Sequence, residues 1–107
     1  MMRDFETFDD FQDAIEDWAF ERGLIEQSTV EAQLLKLVEE TAELITAIRK
    51  RDRLATQDSI GDIQTVLAVI CVKLDCYLSV CASHAYNEIK DRKGRMVDGQ
   101  FVKEVAE

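Results

Sequence analysis

The chain has 107 residues and a mass of 12.2 kDa, with 47% hydrophobic and 33% charged residues, four Gly and no Pro. That composition can build one core and excludes a disordered or collagen-like chain. Thirteen Lys and Arg against 22 Asp and Glu give a net charge of −9, which argues against a nucleic-acid polymer as partner, since neutralised phosphates dominate that affinity.

The opening Met1-Met2-Arg3-Asp4-Phe5-Glu6 has no apolar signal segment, and no later run approaches the roughly 18 apolar residues of a membrane span. A single cytoplasmic domain over residues 1–107, with no membrane partner, is expected. Thr7, followed three residues later by Asp10, predicts a helix from Phe8 to Arg22 that is stopped by Gly23. Phe8, Phe11, Ala14, Ile15, Trp18 and Ala19 form its apolar side. Ser28-Thr29-Val30-Glu31 reads as a capping box with Ser28 as the cap, opening a second helix from Thr29 to Arg51. Val30, Leu34, Leu37, Val38, Leu44, Ile45 and Ile48 make its apolar stripe, and Arg49-Lys50-Arg51 suits the negative end of the helix dipole.

Thr56 is the expected cap of a third helix, whose body from Ile60 to Leu74 is apolar on nearly every side. Such a helix needs covering all round, which implies a dimer or higher oligomer with this helix near the centre. Asp75 or Ser79 can cap a fourth helix carrying Leu78, Ala82, Ala85, Tyr86 and Ile89 and ending near Gly94, with a stop or a kink around Asp75. Asp98-Gly99 between apolar residues is a two-residue turn signal and predicts a short terminal hairpin or arm. The pattern is therefore all-α with a small appendage.

Cys71, Cys76 and Cys81 lie five apart, about 140° out of phase on a continuous helix, and are expected as small core hydrophobes with neither a local disulfide nor a zinc site. His84, the one histidine, is expected to be partly buried and satisfied.

Glu39, Glu40 and Glu43 crowd one edge of the second helix, where like charges at three- and four-residue spacings repel. Lys36, four residues before Glu40, offsets part of this, so a solvated acidic face is the plainest explanation. Asp62, with Asp58 four residues before it, borders the apolar body of the next helix, and antiparallel packing of the two helices gathers Glu40, Glu43 and Asp62, with Glu39 or Asp58 as further oxygens. Hard oxygens on rigid helices suit Mg²⁺. Gly61 is expected to allow close helix approach. Asn87, Lys90, Arg92, Lys93 and Arg95 make a basic cluster in an acidic chain; ordinary dipole complementation explains it, and so does a phosphate tail to be held.

Glu39-Glu40-Thr41-Ala42-Glu43 followed by Ser59-Ile60-Gly61-Asp62 resembles the EExxE and ExxD signature of the MazG-like nucleoside triphosphate pyrophosphohydrolases, with Ser59 where that family usually carries Glu. Trp18 to Leu44 is similar to the family's entry into the motif helix, and Tyr86 to Arg95 to its phosphate-binding terminus. The resemblance implies a four-helix MazG-like bundle, assembled as a homodimer or homotetramer and ending in a short hairpin. It implies Mg²⁺, or Mn²⁺ in its place, held by Glu40, Glu43 and Asp62, with Asp58 as a stand-in for the missing Glu and Glu39 as a ligand or water-positioning base beside Glu40. The implied substrate is a (d)NTP, cleaved between the α and β phosphates to monophosphate and pyrophosphate in nucleotide-pool control. Asn87, Lys90, Arg92 and Lys93 would take the phosphate tail. Lys36, Gln33 and Trp18 are candidates for the rest of the substrate, although the phase of Trp18 with Phe11, Ala14 and Ile15 favours a core anchor. The alternative is an inactive helical oligomer that binds or senses nucleotides, with Ser59 as the mark of a decayed site.

Overall fold

The computed structural model describes residues 2–105. Five helices, α1 (Phe8–Glu21), α2 (Leu24–Gln27), α3 (Val30–Arg49), α4 (Arg53–Lys73) and α5 (Leu78–Ile89), are followed by an antiparallel hairpin of β1 (Gly94–Val97) and β2 (Gln100–Lys103). The helical class and the hairpin are as expected; the helix count is five rather than four. The extra turn, α2, starts at Gly23, whose φ of +74° ends α1 in a conformation that suits glycine.

Three caps differ from expectation. Thr29, not Ser28, caps α3 by accepting from the Ala32 amide at 3.0 Å, while Ser28 Oγ accepts from Gln33 Nε2 at 2.9 Å. Asp52, not Thr56, caps α4 by accepting from the Ala55 amide at 3.0 Å, so α4 begins well before Ile60, and the Thr56 hydroxyl donates to the Asp52 carbonyl. Neither Asp75 nor Ser79 caps α5. Asp75 takes a left-handed φ of +57° at the end of α4, Ser79 donates to the Asp9 carboxylate, and the cap residue Tyr77 makes no side-chain bond to the amides of the first turn of α5. The axes of α4 and α5 differ by 102°, a full corner rather than a kink.

In the hairpin, Asp98 and Gly99 both have positive φ, +50° and +81°, the pairing of a type I′ turn, and Val97 sits opposite Gln100. No single helix among the described residues is long and apolar enough to cross a membrane.

α4 is central, touching each of the other four helices, and its Val66, Ala68, Val69, Ile70 and Cys71 meet Ala19 and Ala47 in the core. α3 buries only part of its expected apolar stripe. Gln33, Glu40 and Ala47, one heptad apart, are buried, and Val30, Leu37 and Leu44 of the stripe are half-buried, whereas Leu34, Val38, Ile45 and Ile48 are exposed, Val38 by 67%. Gly61 is no point of close approach, since a Cβ there would meet nothing within 4 Å. The radius of gyration is 16.6 Å, against about 13 Å for a compact chain of this length. The accessible surface is 8715 Å², against roughly 6,100 Å² for a folded monomer of this mass. α5 accounts for part of that excess, with every residue from Val80 to its end exposed.

Candidate metal and phosphate site

Antiparallel packing of α3 on α4, connected by the short turn around Arg51, brings oxygens of Glu40, Glu43 and Asp62 within 4.8 Å of one another. These are three of the expected ligands. Of the three only Glu40 is buried, Glu43 and Asp62 being exposed; Glu39 and Asp58, also exposed, lie outside the group.

Glu40 is buried to 6% exposure. Lys36 Nζ lies 3.4 Å from its Oε1 and 3.5 Å from Glu39 Oε2, while Glu40 Oε2 is buried with no hydrogen-bond partner. A buried carboxylate oxygen without a donor is costly and calls for a physical explanation. Asp62 is no donor when ionised; its own carboxyl is pushed above the usual carboxylate range by burial, then by the charges of Glu40 and Asp58, with Lys36 pulling the other way. The Lys36 ammonium is in turn held charged to higher pH by its contacts with Glu40 and Glu39. A divalent cation between Glu40, Glu43 and Asp62 would satisfy the orphaned oxygen and remove the repulsion together.

Glu40 and Asp62 also line a cavity of about 410 Å³ whose walls include Trp18, Leu24, Gln33, Lys36, Val66 and Val69. Three residues expected to meet substrate, Trp18, Gln33 and Lys36, therefore converge on the acidic group. The expectation that Trp18 is a core anchor is not met: it is 40% exposed, and the Arg22 guanidinium lies 4.9 Å from its ring centroid. Gln33 is buried, with its amide turned to Ser28.

Glu43 faces a second cleft, of about 420 Å³, shared with Ser59, Lys50 and Asp52. Ser59 is buried there at 7% exposure, and neither it nor Glu43 lines the Trp18 cavity. Asn87, Lys90, Arg92 and Lys93 are all exposed and line neither cleft, and α5 makes no contact with α3. Asn87 donates to the Ser83 carbonyl at 2.8 Å.

The structure corrects two further expectations. His84 is exposed rather than partly buried. The three cysteines are not dispersed, because the corner at Asp75 breaks the helical phase that would separate them; their sulfurs lie within 4.8 Å of one another, with Cys71 buried, Cys76 half-buried and Cys81 exposed. Burial, followed by the neighbouring Cys76 and Cys81, pushes the Cys71 thiol up to about 12. The sequence signal for this grouping was the left-handed Asp75, readable only as an ambiguous break.

No family model matches the chain. It is 41% identical over 56 residues to an uncharacterized 18.2 kDa protein in the rep-hol intergenic region of Haemophilus phage HP1, a match covering 52% of this chain and 34% of the phage protein. The chain thus spans about a third of the length of that relative.

Proposed function

We propose that the chain is a Mg²⁺-dependent nucleoside triphosphate pyrophosphohydrolase of the MazG-like type, cleaving (d)NTP between the α and β phosphates in nucleotide-pool control. The observation that carries this reading is Glu40: a buried carboxylate with an orphaned oxygen, grouped with Glu43 and Asp62, at the wall of a cavity of nucleotide-fragment size. Exposed acidic runs are common, but a buried carboxylate with one oxygen lacking a partner does not arise from solvation of a helix face.

In this reading Glu40, Glu43 and Asp62 hold the ion. When bound, Mg²⁺ supplies charge neutralisation for phosphate oxygens and a water of lowered pKa. Lys36 is the cation already at the site, placed to meet a phosphate oxygen once Glu40 turns to the metal. Glu39, freed from Lys36 in the same exchange, can accept a proton from the attacking water. Trp18 gives a ring face for a base at the apolar end of the cavity, bordered by Leu24 and Val69.

The basic cluster of Asn87, Lys90, Arg92 and Lys93 enters this scheme through a second copy. The exposed stripe of Leu34, Val38, Ile45 and Ile48, and an excess surface of about 2,600 Å² over a compact monomer, fit a homodimer or homotetramer that covers α3 and brings α5 of one copy towards the cavity of another. The test is incubation of the purified chain with each (d)NTP and Mg²⁺ or Mn²⁺, with products resolved by anion exchange and Glu40→Gln as control. Monophosphate and pyrophosphate that vanish in the control are expected. Diphosphate and orthophosphate, or no turnover across the panel, would overturn the assignment and leave a non-catalytic helical oligomer.

A further inference from the structure

The corner between α4 and α5 is held more firmly than the exposed helix beyond it needs. Gln12, on α1 and only 2% exposed, donates from Nε2 to the Cys76 carbonyl at 2.8 Å and accepts the Leu78 amide at 2.7 Å. The Cys76 amide bonds back to the Cys71 carbonyl at 2.9 Å, and Tyr77 Oη donates to Asp13 at 2.9 Å. A buried amide side chain thus fixes the backbone on both sides of Tyr77, with Cys71 beneath the corner and Cys81 one turn into α5.

Three sulfurs within 4.8 Å of one another fit inside a circle of at most about 2.8 Å radius; three thiolates at about 2.3 Å from a tetrahedral zinc lie about 3.8 Å apart, so the sulfurs need close by no more than about 1 Å per pair. A disulfide would use two of the three and leave the third over. Carboxylates and His84 stand outside the group, which makes the donor set purely soft. Exposure of Cys81 leaves one side open to solvent for a fourth ligand.

We propose that Cys71, Cys76 and Cys81 form a binding site for a single thiophilic divalent ion, Zn²⁺, with water completing a tetrahedron. Binding releases the three thiol protons to solvent and leaves a site of net charge −1; no electron is transferred. The ion would staple α5 to α4 at a helix whose remaining residues have little packing of their own. This site is independent of the carboxylate group on α3 and α4.

The experiment uses the reduced chain, stripped of metal with chelator and titrated anaerobically with Co²⁺ as a spectroscopic probe, in wild type and in Glu40→Gln. The expected result is a thiolate-to-cobalt charge-transfer band with tetrahedral ligand-field bands, saturating at one ion per chain in both proteins and displaced by one equivalent of Zn²⁺. Cys81→Ser, at an exposed position that leaves the core intact, should weaken binding by at least about tenfold. An absent charge-transfer band, or equal Co²⁺ affinity in Cys81→Ser, would overturn the proposal. So would a disulfide between two of these cysteines in chain freshly purified under reducing conditions.

Discussion

Lys36 Nζ stands 3.4 Å from Glu40 Oε1, and Glu40 Oε2, on the same buried carboxylate, meets no donor among the described residues. Half of the charge is answered from its own helix and half is turned towards Asp62 and Glu43. The strain of that arrangement is electrostatic, so a bound proton and a bound cation should each relieve it.

Asp62 has its carboxyl raised above the ordinary value of 3.8 by burial and by Glu40 and Asp58. A raised folded-state value means that the folded chain binds the proton more tightly than the unfolded chain. The contribution to stability is then fully present below pH 3.8 and lost as pH rises through the folded value. In chelator, the melting temperature of wild type should therefore fall relative to Asp62→Asn as pH rises from about 4 to neutrality. Addition of Mg²⁺ at neutral pH should raise wild type and leave Asp62→Asn unmoved. Identical pH profiles for the two proteins would show that Asp62 feels no such pressure.

Trp18 lines the Glu40 cavity while remaining 40% exposed, so its substitution should act on binding more than on folding. Trp18→Ala is expected to raise KM by about tenfold with a smaller change in kcat, corresponding to about 1–1.5 kcal/mol of ring contact. Steady-state kinetics on the preferred nucleotide would check it, and indole fluorescence should change on nucleotide binding in wild type. A fall in kcat at constant KM would instead give Trp18 a purely structural part.

Val38 and Leu34 are exposed on α3 although they belong to its apolar stripe. If a second copy covers them, sedimentation should give a mass of at least twice 12.2 kDa, and Val38→Asp should return the protein towards one chain. The same substitution should depress activity if α5 of one copy serves the cavity of another. A wild-type monomer at micromolar concentration would contradict this.

Thr29 rather than Ser28 accepts from the first turn of α3. Thr29→Ala should cost about 1 kcal/mol in chemical denaturation, and Ser28→Ala distinctly less. The reverse order would restore Ser28 as the cap.

Much of this architecture was legible because helical periodicity is a local property. Thr7, the spacing of Phe11 and Ile15, and Asp98-Gly99 each act within a few residues, and α1 and the hairpin formed where they pointed. The grouping of Glu40, Glu43 and Asp62 was legible because two helices joined by a short turn pack antiparallel. What could not be read was long-range. Gln12 clamps a loop 64 residues away, and only that corner gathers the cysteines. The burial of Gln33 and Glu40, with Leu34 and Val38 left exposed, likewise runs against the apolar pattern of α3.

A Mn²⁺ titration followed by electron paramagnetic resonance separates a Glu40 that holds a divalent cation from one that is merely buried. Wild type should remove free Mn²⁺ saturably and more tightly when a non-hydrolysable nucleoside triphosphate is present, with Mg²⁺ competing, whereas folded Glu40→Gln should bind weakly or not at all. Equal binding by the two proteins would mean that Glu40 is no metal ligand.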